Sequence, residues 1–454
     1  MASTRLHRTP GSSSNQVKWT WSGWIKKCTN SVSGCLFCAF TDVNNYTELD
    51  MGSNQIDYYN VTGGGVDARR TTSAYQRDPA AWYHVVVVWD SANASAGDRM
   101  KVYINGVEQT DFSATTNPSS SLNSTMNSTA PQEIGSRALG TTTFFNGYMA
   151  HVHFCDGQAY AASDFGETDS TSGIWIAKTS PSVSYGTNGY FLKFASGALG
   201  TDSSGNGNNM TVVGDLNHNK DNTDNNICTL NPLDNYKAGY TYSKGNNTIV
   251  TNAGPEIYAT STVWLKQGLW YAEAKLLNAS GADILGIASM TPVNTTDYLG
   301  KIKNNWGLYN GGGGGTAVVY GSTSSDSQTA LSGLDDFTTD DIMGIYLDLD
   351  ANKLYFAKNG TLYNSGTGLD LTDPEDIDNY EMYAYTMAFG EYGGSAPTWQ
   401  VNFGNGYFGT DLIASASGDA GGEGQFKYNP STGTFDGSSK NFRAICTNNI
   451  ATYG

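Results

Sequence analysis

Residues 82–90 read WYHVVVVWD, and this run is the strongest structural signal in the chain. Four consecutive valines between aromatic residues are typical of a β-strand that is buried on both faces. Upstream, residues 19–26 (WTWSGWIK) alternate between apolar and polar side chains, which is the period of a half-buried strand. Downstream, residues 101–107 (KVYINGV) contain an Asn-Gly pair, which favours a tight hairpin turn. The first 200 residues are therefore predicted to consist of strands and turns.

The second half of the chain repeats this pattern. Residues 268–276 (GLWYAEAKL) alternate, so Trp270, Ala272, Ala274 and Leu276 are predicted to point inward. Residues 340–360 (DDIMGIYLDLDANKLYFAKNG) contain two strands joined by a tight turn and end in a second Asn-Gly pair. Many short strands without long helical segments indicate β-sandwiches, and two such stretches indicate two sandwiches in series.

Composition agrees with an all-β protein and excludes several functional classes. The 454 residues are 12% aromatic but only 15% charged, with 54 glycines, and the formal net charge is −17. Such an acidic chain is a poor partner for nucleic acid or an anionic membrane surface. No stretch is long and apolar enough to span a bilayer, and the first residues lack the apolar segment of a secretory signal. We therefore expect synthesis in a cytosol.

The predicted fold class is all-β, with two tandem antiparallel β-sandwiches. A long stretch rich in Asp, Asn, Ser and Gly separates the two strand-rich regions and is predicted to be a connector with one short strand at residues 210–213. The expected divisions are an N-terminal arm (1–14), a first sandwich (15–200), a polar connector (201–256), a second sandwich (257–410) and a C-terminal segment that returns to the second sandwich (411–454).

Several motifs resemble known families. WYHVVVVWD, DRMKVYINGV and FFNGYMAHVHFCDGQ, in this order, resemble the laminin-G-like (concanavalin A-type) jelly roll over residues 15–200. GLWYAEAKL and DDIMGIYLDLDANKLYFAKNG resemble a SPRY domain over residues 260–410. The chain as a whole resembles virion-associated proteins of marine tailed phages, in which WTWSGWIK, RDPAAWYH, DSSGNGNN, CTLNPL and FRAICTNN occur together.

This resemblance implies a non-enzymatic virion protein displayed on the particle exterior. It would act as a tail fibre or a receptor-binding component that binds host surface glycans, and its partners would be other virion proteins. The resemblance also implies a homo-oligomer, most plausibly a trimer. Two alternatives stay open at this point: a head-decorating or adaptor protein without a glycan ligand, and a polysaccharide depolymerase.

Two sets of residues are candidate ligand sites. Tyr309 and Tyr320 flank the five-glycine run 311–315 and are candidates for a glycan-binding rim, because sugars stack on exposed aromatic rings. Asp202, Asn206 and Asn208 lie in a Gly-rich turn and could supply oxygen ligands to Ca²⁺, the one cofactor considered. The alternatives are tyrosines packed on a sheet and Asx side chains that cap their own turns.

Catalytic and transition-metal patterns are weak. Glycosidases on jelly rolls use carboxylates spaced Glu-x-Asp-x-x-Glu; residues 167–169 begin this pattern, but Ser172 stands in the last position. His151 and His153, two residues apart in a predicted strand, could chelate a metal or simply share a partly exposed face. The Cys35-x-x-Cys38 pair lacks a second pair and is interpreted as buried strand thiols. The chain is predicted not to be an enzyme.

Cys228 and Cys446 bracket the second sandwich in similar Cys-Thr contexts. Because sandwiches commonly bring their first and last strands together, we predict that these two segments run side by side. A disulfide between them is not expected in a protein made in a cytosol.

Overall fold

The computed structural model describes residues 4–28, 33–234, 240–251, 256, 258–289, 298–311, 316–321, 329–371, 384–393 and 396–454. The chain divides into two compact units. The first comprises Met1–His218 and Asn222–Asp224, and the second comprises Asn219–Asp221 and Asn225–Gly454. Each unit is described by itself.

The first unit contains sixteen strands and two single-turn 3₁₀ helices, Ala96–Asp98 and Ala162–Asp164, among its described residues. The strands are β1 (Arg5–Arg8), β2 (Lys18–Lys27), β3 (Gly34–Asp42), β4 (Asn45–Gly52), β5 (Gln55–Thr62), β6 (Gly65–Thr72), β7 (Tyr83–Asp90), β8 (Met100–Ile104), β9 (Val107–Glu108), β10 (Phe112–Thr116), β11 (Gln132–Ile134), β12 (Gly147–Asp156), β13 (Gly166–Thr168), β14 (Trp175–Ala177), β15 (Tyr190–Leu192) and β16 (Thr211–Val213). An eight-stranded sheet has the order β10-β6-β5-β4-β3-β11-β1-β16, and a six-stranded sheet has the order β15-β12-β2-β7-β8-β9.

The valine-rich strand β7 lies inside the six-stranded sheet and is buried on both faces, as predicted. Val85, Val87 and Trp89 pack into the main core between the sheets. Val86 points to the other face and packs against Cys155 and residues that include Phe165. Burying one valine side chain contributes roughly 1.5–3 kcal/mol, so a strand covered on both sides anchors the unit.

The second unit contains nineteen strands and one α-helix among its described residues. They are β17 (Thr241–Ser243), β18 (Thr248–Val250), β19 (Tyr258–Thr260), β20 (Leu269–Asn278), β21 (Asp283–Ala288), β22 (Trp306–Tyr309), β23 (Thr316–Gly321), β24 (Thr329–Asp335), β25 (Ile342–Asp348), β26 (Lys353–Lys358), β27 (Thr361–Leu362), β28 (Leu369–Asp370), β29 (Thr386–Glu391), β30 (Thr398–Asn402), β31 (Tyr407–Phe408), β32 (Asp411–Leu412), β33 (Ser417–Gly418), β34 (Gln425–Phe426), β35 (Arg443–Ala444) and α1 (Thr447–Tyr453), with a short turn at Tyr363–Gly366.

Two sheets enclose the core of the second unit. The nine-stranded sheet runs β17-β18-β30-β20-β25-β26-β27, with β28 beside β26 and β35 beside β20. The six-stranded sheet runs β19-β29-β21-β22-β23-β24. Trp270, Ala272, Ala274 and Leu276 of β20 are fully buried in the core, as their alternation predicted.

The expected N-terminal arm and the expected connector both contain strands of the two units. The expected arm (1–14) contains β1, which pairs with β11 on one side and β16 on the other. The expected connector (201–256) contributes β16 to the first unit and β17 and β18 to the second. Strand β16 lies within the short strand predicted at residues 210–213. Strands β1, β17 and β18, of three or four residues each, hold too few alternations to stand out from polar sequence.

The predicted proximity of the two Cys-Thr segments is confirmed. The backbone N–H of Cys228 donates a 2.9 Å hydrogen bond to the carbonyl of Ile445, and Ile227 pairs with Cys446. Both cysteines are buried and in the thiol form. Within the described residues, no helix has the length and apolar character needed to cross a bilayer.

Candidate functional site

Four tyrosines form a cluster on the outer face of the six-stranded sheet of the second unit; we call it the tyrosine patch (Tyr298, Tyr309, Tyr320 and Tyr392). The ring centroids of Tyr309 and Tyr320 are 5.7 Å apart, and that of Tyr392 lies 4.8 Å from Tyr309. Tyr320 and Tyr392 are 5.8 Å apart with planes within 10° of parallel. Tyr298 meets Tyr392 edge-on at 4.3 Å. The structure thus brings both predicted tyrosines into one site.

Strand register explains why Tyr309 and Tyr320 meet. In the β22–β23 pair, Tyr309 lies opposite Val318, so Tyr320 is its diagonal neighbour on the same face. Leu308 and Val319, which alternate with the two tyrosines, are fully buried in the core. The patch side chains belong instead to a separate apolar cluster outside the sandwich.

Glycines on the sheet allow a loop to lie directly against it. A Cβ atom at Gly307 would come within 2.5 Å of the Leu299 carbonyl oxygen, and one at Gly300 would meet the Tyr320 carbonyl at the same distance. This close approach places Tyr298 over the sheet. Two residues of the patch were not predicted from the sequence. Tyr298 lies in a loop. Tyr392 directly follows strand β29, and extending the alternation of that strand could have identified it.

The patch combines flat rings with neutral hydroxyl groups. Tyr298 and Tyr309 are buried, whereas Tyr320 and Tyr392 are half-buried. Burial and the neighbouring phenols raise the pKa of Tyr392 to about 12, and burial also raises the pKa of Tyr320. The hydroxyls of Tyr320 and Tyr392 therefore stay protonated at neutral pH and can both donate and accept hydrogen bonds. Residues 312–315 of the flanking glycine run lie outside the described residues.

The predicted calcium ligands form a hydrogen-bonded loop in the first unit. The Asp202 carboxylate accepts backbone N–H bonds from Phe191 (2.9 Å) and Asn208 (2.9 Å). The Asn206 and Asn208 amides donate to the Gly189 carbonyl at 3.0 and 2.8 Å. A bound calcium ion would have to displace some of these bonds, and Ca²⁺ binding stays a prediction.

The histidine pair lies in an irregular part of strand β12. The register against β2 shifts between Ala150 and His153, and His151 has a φ of 47°. Both imidazoles stack on Phe191, and the Nδ1 of His153 lies 2.9 Å from the Tyr185 hydroxyl. In the described part of the chain, no group of three or more His, Cys, Asp or Glu residues is arranged to hold a metal ion.

The hydrogen bond between Ser22 and His84 has the wrong direction for nucleophilic catalysis. The Trp175 indole N–H donates to Nδ1 of His84 at 3.0 Å, so the ring proton of the neutral imidazole is on Nε2. Nε2–H then donates to the Ser22 hydroxyl oxygen at 2.8 Å, and burial lowers the pKa of His84 to about 3. A general base must accept the serine proton, and this histidine cannot.

Two neighbouring carboxyl groups on strand β4, which sequence reasoning did not single out, are closed to solvent. Glu48 is fully buried and accepts hydrogen bonds from the Arg137 guanidinium (2.8 Å) and the Tyr59 hydroxyl (2.7 Å). Burial and the Glu48 charge raise the pKa of Asp50 to about 7. The Glu48 bonds tie the outer face of the sheet together and leave this carboxylate shielded from a bulky substrate.

Comparison with known proteins supports the fold. The model of the concanavalin A-like lectin/glucanase superfamily matches residues 4–163. Comparison with curated proteins found no match. Strands β1–β12 all lie within the matched range, so the first sandwich is laminin-G-like, or concanavalin A-like. The predicted all-β sandwich class is confirmed.

The solved structures that this chain matches include SPRY and laminin domains. The SPRY domain of human HERC1 is 17% identical, covering 34% of this chain and 87% of that chain, with a TM-score of 0.26. The TRIM65 PSpry domain is 16% identical, covering 38% and 91%, with a TM-score of 0.28. Domains LG4–5 of the mouse laminin α1 chain are 10% identical, covering 88% and 85%, with a TM-score of 0.27.

Proposed function

We propose that this chain is a non-catalytic adhesion protein that binds surface glycans through its tyrosine patch. The observation that carries the proposal is the close association of four tyrosines on one sheet face, with Tyr320 and Tyr392 half-buried and nearly parallel. Flat aromatic rings stack on the apolar face of a sugar, and their hydroxyls bond to sugar hydroxyls. The superfamily that matches residues 4–163 includes lectins by its description.

A non-catalytic role is supported by the polarity of the Ser22–His84 contact and by the engagement of Glu48 with Arg137 and Tyr59. Neither arrangement presents a free base or nucleophile to a substrate. A depolymerase would release reducing sugar ends from a bound polysaccharide, so an assay for reducing ends separates the two functions.

The proposed setting is the exterior of a tailed-phage particle, as a tail fibre or receptor-binding component in contact with other virion proteins. The resemblance of its motifs to those of marine phage virion proteins supports this setting. A homo-oligomer, most simply a trimer, would turn weak glycan contacts into avid binding. Antibody-gold electron microscopy of virions tests the setting: label at the tail agrees with it, and label over the head indicates a decorating protein.

Glycan binding is tested by presenting the full chain to an array of bacterial surface glycans, with and without Ca²⁺. Tyr320→Ala and Tyr392→Ala should each weaken binding to the selected glycan by about tenfold, equivalent to about 1.4 kcal/mol. Tyr75→Ala is the matched control, because Tyr75 is 51% exposed and lies in the first unit. Binding that survives both patch substitutions, with all variants folded, would contradict the proposal.

A further inference from the structure

An open cavity of 570 Å³ lies at one edge of the second unit. Its walls come from β24, the end strand of the six-stranded sheet, and from β27 with the following turn, at the end of the nine-stranded sheet. The volume falls in the usual range for small-molecule sites, about 300–1,000 Å³. No residue of the tyrosine patch lines the cavity.

One side of the cavity is fixed by hydrogen bonds within the protein. The Lys358 ammonium group donates to the Asp336 carbonyl at 2.5 Å and pairs with the Asp341 carboxylate at 3.5 Å. The Tyr363 hydroxyl donates to the Asp335 carbonyl at 2.6 Å. These bonds position the wall before any ligand arrives, and the ion pair neutralises the lysine.

The turn that lines the other side is held in an unfavourable conformation. Asn364 and Ser365 are consecutive left-handed residues, with φ, ψ of 50°, 33° and 50°, 30°. The C-terminal segment holds the turn in place: Asp436 N–H donates to the Gly366 carbonyl at 2.9 Å. Backbone strain of this kind persists where the surroundings enforce it, and it is found at ligand-binding sites.

The lining has the chemistry of a hydroxyl-rich, neutral ligand. Leu331 and Leu362 supply a small apolar surface, and the exposed side chains of Asp335, Asn364 and Ser365 supply hydrogen-bonding groups. Among the described residues, no cation pairs with the Asp335 carboxylate, which disfavours an anionic ligand. One carboxylate is also too few for a calcium site. We infer that this edge cavity is a second binding site, for one or two rings of a neutral saccharide.

Titration calorimetry of the full chain with maltotriose, cellotriose, tri-N-acetylchitotriose and mannotriose tests this site. At least one trisaccharide should bind, and Asp335→Ala and Asn364→Gly should each weaken that binding at least fivefold. Asn364→Gly should also raise the melting temperature, because glycine adopts the left-handed conformation without strain. A substitution that acted only by disturbing the structure would not weaken binding while raising the melting temperature.

Ser415→Gly is the matched control, since Ser415 is exposed, belongs to the same unit and has a φ of 56°. It should leave trisaccharide binding unchanged. Binding that is lost in Tyr320→Ala but kept in Asp335→Ala would place the sugar on the tyrosine patch and overturn the edge site. Binding that is lost in Asp335→Ala but kept in Tyr320→Ala would support the edge site alone. Absence of binding at millimolar trisaccharide would overturn the edge site.

Discussion

The two outer faces of the second sandwich both carry rows of tyrosines, yet they have different environments. On the nine-stranded sheet, Tyr271, Tyr346 and Tyr355 lie opposite one another on adjacent strands and are at most 2% exposed. On the six-stranded sheet, Tyr320 and Tyr392 are half-buried. An outward tyrosine row thus becomes part of the core where another segment covers it, and can bind a ligand where its rings keep exposed surface.

The covering element is the C-terminal segment (residues 411–454). Its phenylalanines pack on the tyrosine row. The ring centroid of Phe426 lies 4.8 Å from that of Tyr271, and the ring centroids of Phe435 and Phe442 each lie 5.1 Å from that of Tyr346. Strand β35 also pairs in parallel with β20, next to Tyr271. These contacts make the nine-stranded face part of the core.

Glu273 fastens the C-terminal segment to the covered face. Its carboxylate is fully buried and accepts bonds from the Lys427 N–H (2.6 Å), the Tyr428 N–H (3.3 Å) and the Asn402 amide (3.0 Å). The Tyr271 hydroxyl is a fourth partner at 3.2 Å. Burial raises the pKa of Glu273 to about 7 despite these donors.

Replacing Glu273 should have the largest effect on the free energy of unfolding. Glu273→Ala leaves several buried donors without an acceptor, so the free energy of unfolding should fall by roughly 3–5 kcal/mol. Urea denaturation measures this. The control is Asp370→Ala, which removes an exposed ion pair with Lys353 and should cost about 0–1 kcal/mol. A loss below 1 kcal/mol in Glu273→Ala would show that the covered face does not depend on this carboxylate.

The raised pKa of Glu273 predicts that the stability of the protein depends on pH. The pKa of this carboxyl group in the folded state, about 7, is above the ordinary value of 4.5, so the folded state holds a proton that the unfolded state releases. The stabilisation contributed by this group should therefore be fully present below pH 4.5 and be lost as the pH rises to 7, a change of about 3 kcal/mol.

Glu273→Gln should remove this group's part of the change in unfolding free energy with pH, measured by urea denaturation at a series of pH values between 4.5 and 7. The Asp50→Asn variant provides a comparison within the first unit, because the pKa of Asp50 is also raised to about 7 and predicts a slope of the same sign. An unchanged slope in Glu273→Gln would contradict the assignment to this carboxyl group.

A smaller change should disturb the tyrosine patch. In Gly307→Ala, the new methyl group would meet the Leu299 carbonyl and Ile284, forcing the loop that carries Tyr298 away from the sheet. We expect a loss of about 1–3 kcal/mol in urea unfolding and weaker glycan binding. Gly418→Ala is the control, because no heavy atom lies within 4 Å of its added Cβ. Equal glycan binding by both variants would show that the loop position is unimportant.

The sequence predicted the features that follow from alternation along a strand or from closeness along the chain. It identified the buried valine strand and the inward face of β20, and it named Tyr309 and Tyr320, whose rings lie 5.7 Å apart, as candidates for one rim. It did not predict that Glu273, on the polar face of β20, is buried, because the covering segment lies about 150 residues away in sequence. It also missed β1, whose four residues (Arg5–Arg8) are recognisable as a strand only through their partners.

The most direct test of the contrast between the two faces is hydroxyl-radical footprinting of the full chain, read by mass spectrometry, with and without the glycan selected on the array. Tyr320 and Tyr392 should be modified in the free protein and protected by the glycan. Tyr271 and Tyr346 should resist modification in both states. Equal modification of all four tyrosines, or unchanged modification of Tyr320 and Tyr392 at saturating glycan, would contradict the account.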